Sequence, residues 1–191
     1  MRIAVFASGS GSNAEAIIQA TKKGTLDAEV ALVVTDKPGA KVVERAQSYG
    51  IDVFAFSPKD YNGKAAFEQD IVSKLKKYDI SFLVLAGYMR LVGETLLEGY
   101  EGRMVNIHPS LLPSFPGLDA IGQAFEAKVK ITGVTIHYVD SGMDSGPIIA
   151  QESVRIEEND TIETLRQKVQ AIEHTLYPET LQQLFTSKEH N

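Results

Sequence analysis

Four short apolar runs in the first half of the chain, Ile3–Ala7, Glu29–Thr35, Asp52–Phe56 and Ser81–Ala86, alternate with stretches of helical periodicity. The intervening stretches are Asn13–Lys23, Lys41–Tyr49 and Lys64–Lys77; in the last, Phe67, Ile71, Val72 and Leu75 recur at helical spacing. A strand that is apolar on both faces needs cover on both, so the pattern implies a parallel sheet between layers of helix. The second half changes character. A strand near Arg103–Ile107 is followed by two long extended runs, Ile131–Val139 and Pro147–Ile156, which read as antiparallel partners. The Gly-, Ser- and Asp-rich segment Asp140–Gly146 between them reads as a long functional loop. Thr161–Phe185 closes the chain as a helix started by the capping pair Asp160–Thr161, with a kink or break expected at Pro178. No repeat, low-complexity tract or linker divides the 191 residues, so the expectation is one α/β domain over 1–191.

Composition narrows the function. Nineteen basic and 25 acidic residues give a net charge of −6, a surface that repels polyphosphate and argues against a nucleic-acid partner. A small phosphorylated ligand needs only a local positive site. There is no cysteine, which excludes disulfides, thiolate nucleophiles and zinc–thiolate centres. The chain starts directly in a strand-like run, and no apolar stretch approaches the ~18–20 residues of a membrane span. The expected location is cytoplasmic, with no membrane partner.

Three segments carry chemistry. Gly9-Ser10-Gly11-Ser12-Asn13-Ala14 joins the first strand to a helix, where glycines admit close backbone approach and the helix N-terminus offers free N–H groups to an anion. The same residues fit Gly-x-Gly-x-x-Ala, and Asp36 ends the second strand about where a dinucleotide fold places its ribose-binding acid. A small phosphate, an NAD-type cofactor in a non-catalytic nucleotide-binding module, and a ligand-free tight turn all remain open. Ala86-Gly87-Tyr88-Met89-Arg90-Leu91-Val92 comes after the fourth strand, at the end where open α/β sheets bind ligands.

Asn106 and His108 are two residues apart, so an extended strand projects both to one side. One is an amide donor and the other a donor or proton carrier near neutral pH. Pro109 and Pro113 stiffen the segment after His108, and a second acid arrives at Asp144; together these read as an acyl-transfer site. Among the other histidines, His137 reads as packing or support, His174 as either surface or site, and His190 as inert tail. Asp140 and Asp144 find no third ligand at a recognisable spacing, so no metal site is expected. Gln170 and Glu173 lie three apart on one helix face, as ligand contacts or as a solvated face.

The segment Met104–Gly117 with Asp144 resembles the signature of the folate-dependent formyltransferases, and the rest of the chain is similar to the branch acting on glycinamide ribonucleotide. The resemblance implies a Rossmann-like formyltransferase fold, mostly parallel with antiparallel C-terminal strands. It implies transfer of a formyl group from 10-formyltetrahydrofolate, as cosubstrate, to the amine of glycinamide ribonucleotide in purine (IMP) biosynthesis. Asn106, His108 and Asp144 are then catalytic, and Leu112–Pro113 a cis peptide. Gly11, Ser12 and Asn13 hold the ribonucleotide phosphate, with Gln170 and Glu173 on ribose and glycinamide. Lys64, Met89, Arg90, Leu91, Val92 and Asn106 bind the folate, with Asp140, Ser141, Gly142, Met143 and Asp144 wrapping its pterin. Arg90 pairs with folate acid groups or is structural.

Two positions depart from that pattern. Lys64 stands where many relatives carry arginine, giving a point charge in place of a bidentate fork. Asp119 stands where relatives often carry a histidine near the loop acid, which puts a histidine–Asp144 support pair in doubt. Two sister activities are less well matched. A methionyl-tRNA formyltransferase is expected to carry a tRNA-binding domain after the last helix, and a formyltetrahydrofolate hydrolase a regulatory domain before the first strand.

Overall fold

The computed structural model describes residues 1–188; His190 lies outside them. Seven strands form one sheet in the order β3-β2-β1-β4-β5-β6-β7. They are β1 (Arg2–Phe6), β2 (Glu29–Thr35), β3 (Val53–Ala55), β4 (Phe82–Leu85), β5 (Met104–His108), β6 (Ile131–Tyr138) and β7 (Ile148–Arg155). The first five pair in parallel, and β5–β6 and β6–β7 pair antiparallel. The helices are α1 (Ser12–Lys23), α2 (Lys41–Ser48), α3 (Lys64–Lys77), α4 (Glu94–Tyr100), α5 (Ala120–Glu126) and α6 (Ile162–Lys188).

The near-continuous apolar strands bury both faces by alternation. Ile3 and Val5 point into one core with Ile17, Leu165 and Val169, while Ala4 and Phe6 point into a second with Phe67, Ile71 and Leu75. Helices α1, α2, α5 and α6 therefore cover one face, and α3 and α4 the other. Helices α4 and α5, seven residues each, were not legible in the sequence. Two turns are too few to display a helical period.

Helix α6 runs through Pro178 without the expected break. The proline lacks the N–H that would reach the carbonyl four residues back, and its ring crowds that carbonyl. Tyr177 and Leu181, both wholly buried, hold the helix against the sheet on either side of it. The Tyr177 hydroxyl, deep under the sheet, donates to the carbonyls of Leu85 (2.7 Å) and Val105 (3.3 Å), tying α6 to the end of β4 and the start of β5. Burial, with Glu173 nearby, pushes that phenol well above its ordinary range, so it stays a neutral donor.

Strand order reverses between β1 and β4, and open α/β sheets leave a crevice at such a point. The segments after β1, β4 and β5 meet there.

Candidate active site

A cavity of about 380 Å³ opens at the C-terminal ends of β4 and β5. Asn106 and His108 enter it from one side of β5, as the two-residue alternation requires. The loop after β5 turns back over the strand. Its Leu112–Pro113 bond is cis. Buried Thr135 on β6 fastens this loop, donating to Ser110 O at 2.7 Å and accepting from Leu112 N at 3.0 Å. The loop carries the Phe115 carbonyl to 2.9 Å from His108 Nε2. A carbonyl only accepts, so Nε2 carries the proton and Nδ1 is the working nitrogen.

Asp144 faces that nitrogen, with Oδ2 3.5 Å from His108 Nδ1. The same oxygen accepts from Gly117 N at 2.9 Å, which fixes the carboxylate against the end of the β5 loop. Asp144 sits in the left-handed region at φ 53°, a conformation aspartate tolerates better than most residues. Asp140, outside the cavity lining, shapes the same loop: its Oδ1 accepts from Gly142 N and Ser145 Oγ.

His137, read from sequence as packing or support, lines the cavity. The antiparallel pairing of β5 with β6 sets it opposite Asn106. Its Nδ1 faces the Tyr138 carbonyl at 2.8 Å, so in the neutral ring Nε2 accepts from Asn106 Nδ2 at 3.3 Å. That Nε2 also lies 3.9 Å from Asp144 Oδ1. Asp144 thus stands between two histidines, so a histidine beside the loop acid exists without one at position 119. The only signal in the sequence was alternation with Thr135, because the pairing register is set by the fold.

Asp119 caps α5, accepting from Gly122 N, and pairs with Arg166 at 3.3 Å. Both also line the cavity, and Arg166 was not singled out in the sequence.

The cavity gathers most of the remaining candidates. Met89, Arg90, Leu91 and Val92 line it, as do Gly142, Met143 and Asp144. Asn13 and Glu173 close the end under α1 and α6, with Asn13 Nδ2 donating to Glu173 Oε2 at 3.3 Å. Burial pushes the Glu173 carboxyl up to about 7, against a smaller downward pull from the Asn13 hydrogen bond. Gly11, Ser12, Gln170, Lys64, Asp140 and Ser141 are not part of the lining. Gly11 starts α1 at φ 74°, and a Cβ there would sit 2.5 Å from Val42 Cγ2, so the turn has room only for glycine. Ser12 opens on a separate groove with Arg45 and His174. Burial and the Arg45 charge lower the His174 pKa, in that order. Lys64 Nζ donates to Leu91 O at 2.7 Å.

The formyl transferase family profile matches residues 1–181. The chain belongs to the formyl transferase family. Over 183 residues it is 56% identical to the phosphoribosylglycinamide formyltransferase of Bacillus subtilis (strain 168), covering 96% of this chain and 94% of that one. A crystal structure of the Bacillus halodurans phosphoribosylglycinamide formyltransferase superposes with TM-score 0.94 at 67% identity, covering 96% of this chain and 95% of the other. The chain is also 40% identical over 182 residues to the trifunctional purine biosynthetic protein adenosine-3 of Gallus gallus, matching 95% of this chain and 18% of that longer one.

Membership of the formyl transferase family removes the NAD reading of the glycine turn. The structure agrees, because Asp36 is buried outside the cavity lining with both oxygens engaged: it accepts from Ser8 Oγ at 2.6 Å and pairs with Arg90 Nε at 2.8 Å. Among the described residues no cluster of three or more His, Asp or Glu is arranged to hold a metal, and no helix is long and apolar enough to cross a membrane.

Proposed function

We propose that this protein transfers a formyl group from 10-formyltetrahydrofolate to the amine of glycinamide ribonucleotide, a step of purine biosynthesis. The observation that carries the reading is the convergence of Asn106, His108 and Asp144 in one cavity that also holds the Asn13–Glu173 pair. The similarity to phosphoribosylglycinamide formyltransferases supports the substrate pair. Residues 1–191 act as one domain, in the cytoplasm, on two small molecules and without a metal.

The amine nitrogen attacks the formyl carbon, and the carbonyl π pair moves onto oxygen. Asn106 Nδ2, held by His137, donates one hydrogen to the oxyanion, and the protonated Nδ1 of His108 donates a second. Each such donor is typically worth ~3 kcal/mol in the transition state. The carbon–N10 bond of the folate then breaks, its electron pair returns to N10, and N10 takes a proton. The attacking amine gives up one proton, so the step balances, and Asp144 beside His108 Nδ1 relays it.

On the same reading, Gly11, Ser12 and Asn13 hold the ribonucleotide phosphate at the start of α1, and Gln170 and Glu173 contact ribose and glycinamide. Met89 to Val92 and the 140–144 loop hold the pterin, and Lys64 meets the acidic folate tail. Purified protein given both substrates, with absorbance tracking formyl-folate consumption and product identified by mass, tests the assignment. Turnover that proceeds equally without the ribonucleotide would mean a hydrolase instead.

A further inference from the structure

Residues 87–92 wall the cavity, yet neither they nor Gly93 belong to a strand or helix that would fix them. Their shape is imposed from outside. Gly87 O accepts from Ser8 N at 2.9 Å, Met89 N donates to Ser8 Oγ at 2.9 Å, and Gly93 N donates to Glu68 Oε2 at 2.8 Å. Arg90 Nε donates to Asp36 Oδ2 at 2.8 Å, with its guanidinium 5.7 Å from the centroid of the Phe67 ring.

Two of these ties converge on one acid. Asp36 is only 4% exposed and is not part of the cavity lining. Its Oδ1 accepts from Ser8 Oγ, which fixes that hydroxyl's lone pairs toward Met89 N. Its Oδ2 holds the side chain of the next residue, Arg90. Through consecutive residues, then, Asp36 grips the segment once by main chain and once by side chain. A buried carboxylate with both oxygens in hydrogen bonds is expensive to leave half satisfied, which makes the arrangement a rigid one.

We infer that Asp36 and Ser8 are positioning residues for the folate wall: they set the backbone of Met89–Val92 against which the flat pterin packs. The inference rests on the folate reading of this cavity. It also explains why the acid at the end of β2 is buried and does not serve a sugar hydroxyl.

The test is a kinetic split. Ser8→Ala removes the hydroxyl link and leaves the Asp36–Arg90 pair in place. The KM for 10-formyltetrahydrofolate should rise about two- to tenfold, the value of one hydrogen bond. The KM for the ribonucleotide, and kcat at saturating folate, should stay within twofold. Asp36→Ala should raise the folate KM further, and the double variant should cost less than the product of the two singles, since both act through one chain of contacts. Calorimetric titration with tetrahydrofolate gives the same ordering without turnover. An unchanged folate KM in Ser8→Ala, or equal rises for both substrates, overturns the inference. If Asp36→Ala fails to fold, Ser8→Ala decides alone. A wild-type protein without formyl transfer would instead sink the proposed function, so the two failures are distinguishable.

Discussion

The main-chain carbonyl of Phe115 holds His108 through Nε2 at 2.9 Å, leaving the opposite ring nitrogen to face Asp144. Phe115 adopts φ 53°, a left-handed conformation that is uncommon for a bulky residue and costs on the order of 1–3 kcal/mol. That backbone turn aims the carbonyl at the ring. Neutral His108 should therefore carry its proton on Nε2. Nitrogen-15 NMR of labelled histidine should show Nδ1 unprotonated at alkaline pH, and the opposite tautomer would remove Nδ1 from the mechanism. Asp144→Asn should lower kcat by about 10²–10⁴. Adding His108→Ala to it should cost little more, because the two act as one unit.

Asn106 depends on His137 for its orientation. Removing the amide, as in Asn106→Ala, should cost about 10²–10³ in kcat. His137→Leu should leave the amide in place but untethered, for a loss of about tenfold, the value of one misdirected hydrogen bond. His137→Gln offers a side-chain oxygen as acceptor and should recover part of that loss. Steady-state kinetics of the three variants decide it: a His137→Leu enzyme as impaired as Asn106→Ala would mean that His137 itself acts on substrate.

Glu173 makes stability depend on pH. Its carboxyl is raised from an ordinary 4.5 to about 7 by burial, so the folded state holds a proton that the unfolded chain releases near 4.5. The stabilisation from this group is fully present below pH 4.5 and is lost as pH rises through about 7. A shift of this size corresponds to roughly 3 kcal/mol. Glu173→Gln cannot lose that proton, so its stability relative to wild type should increase between about pH 5 and about pH 8. Denaturant unfolding at the two pH values measures the difference, and parallel curves would contradict the burial account.

Asp119 is the obvious acid to suspect after Asp144, but its contacts are structural. One oxygen accepts from Gly122 N and from Arg166, each at 3.3 Å. Asp119→Ala should lose a cap worth ~1 kcal/mol, plus little from the exposed ion pair. Turnover should remain within threefold of wild type. A fall of a hundredfold with the fold intact would place Asp119 in the proton path.

The sequence carried the parallel half of the fold well, because a buried strand cannot hide its apolar run: β1, β2, β3 and β4 lie close to the expected segments. It also carried the pairing of Asn106 with His108, since two-residue alternation is a local property. What escaped was set by non-local geometry. His137 meets Asn106 only through the β5–β6 register, Arg166 reaches the cavity mouth only because α6 packs beside α5, and Asp36 turns inward only because β1, β2 and β4 end side by side. At Pro178 it was the break, of the expected kink or break, that did not occur. A local rule for ending helices was overridden by burial on both sides of it.

The hydrogen bond between Asn13 and Glu173 joins residues 160 positions apart. Closing so large a loop is slow, and contacts of this span form after the local ones. The end of the cavity that holds this pair is complete only once α6 has docked, with its Tyr177 hydroxyl on Leu85 and Val105. On the proposed function, binding of the ribonucleotide thus depends on a joint between the two ends of the chain. Loosening α6 would open that joint and would also uncover Ile3 and Val5, which pack on Leu165 and Val169.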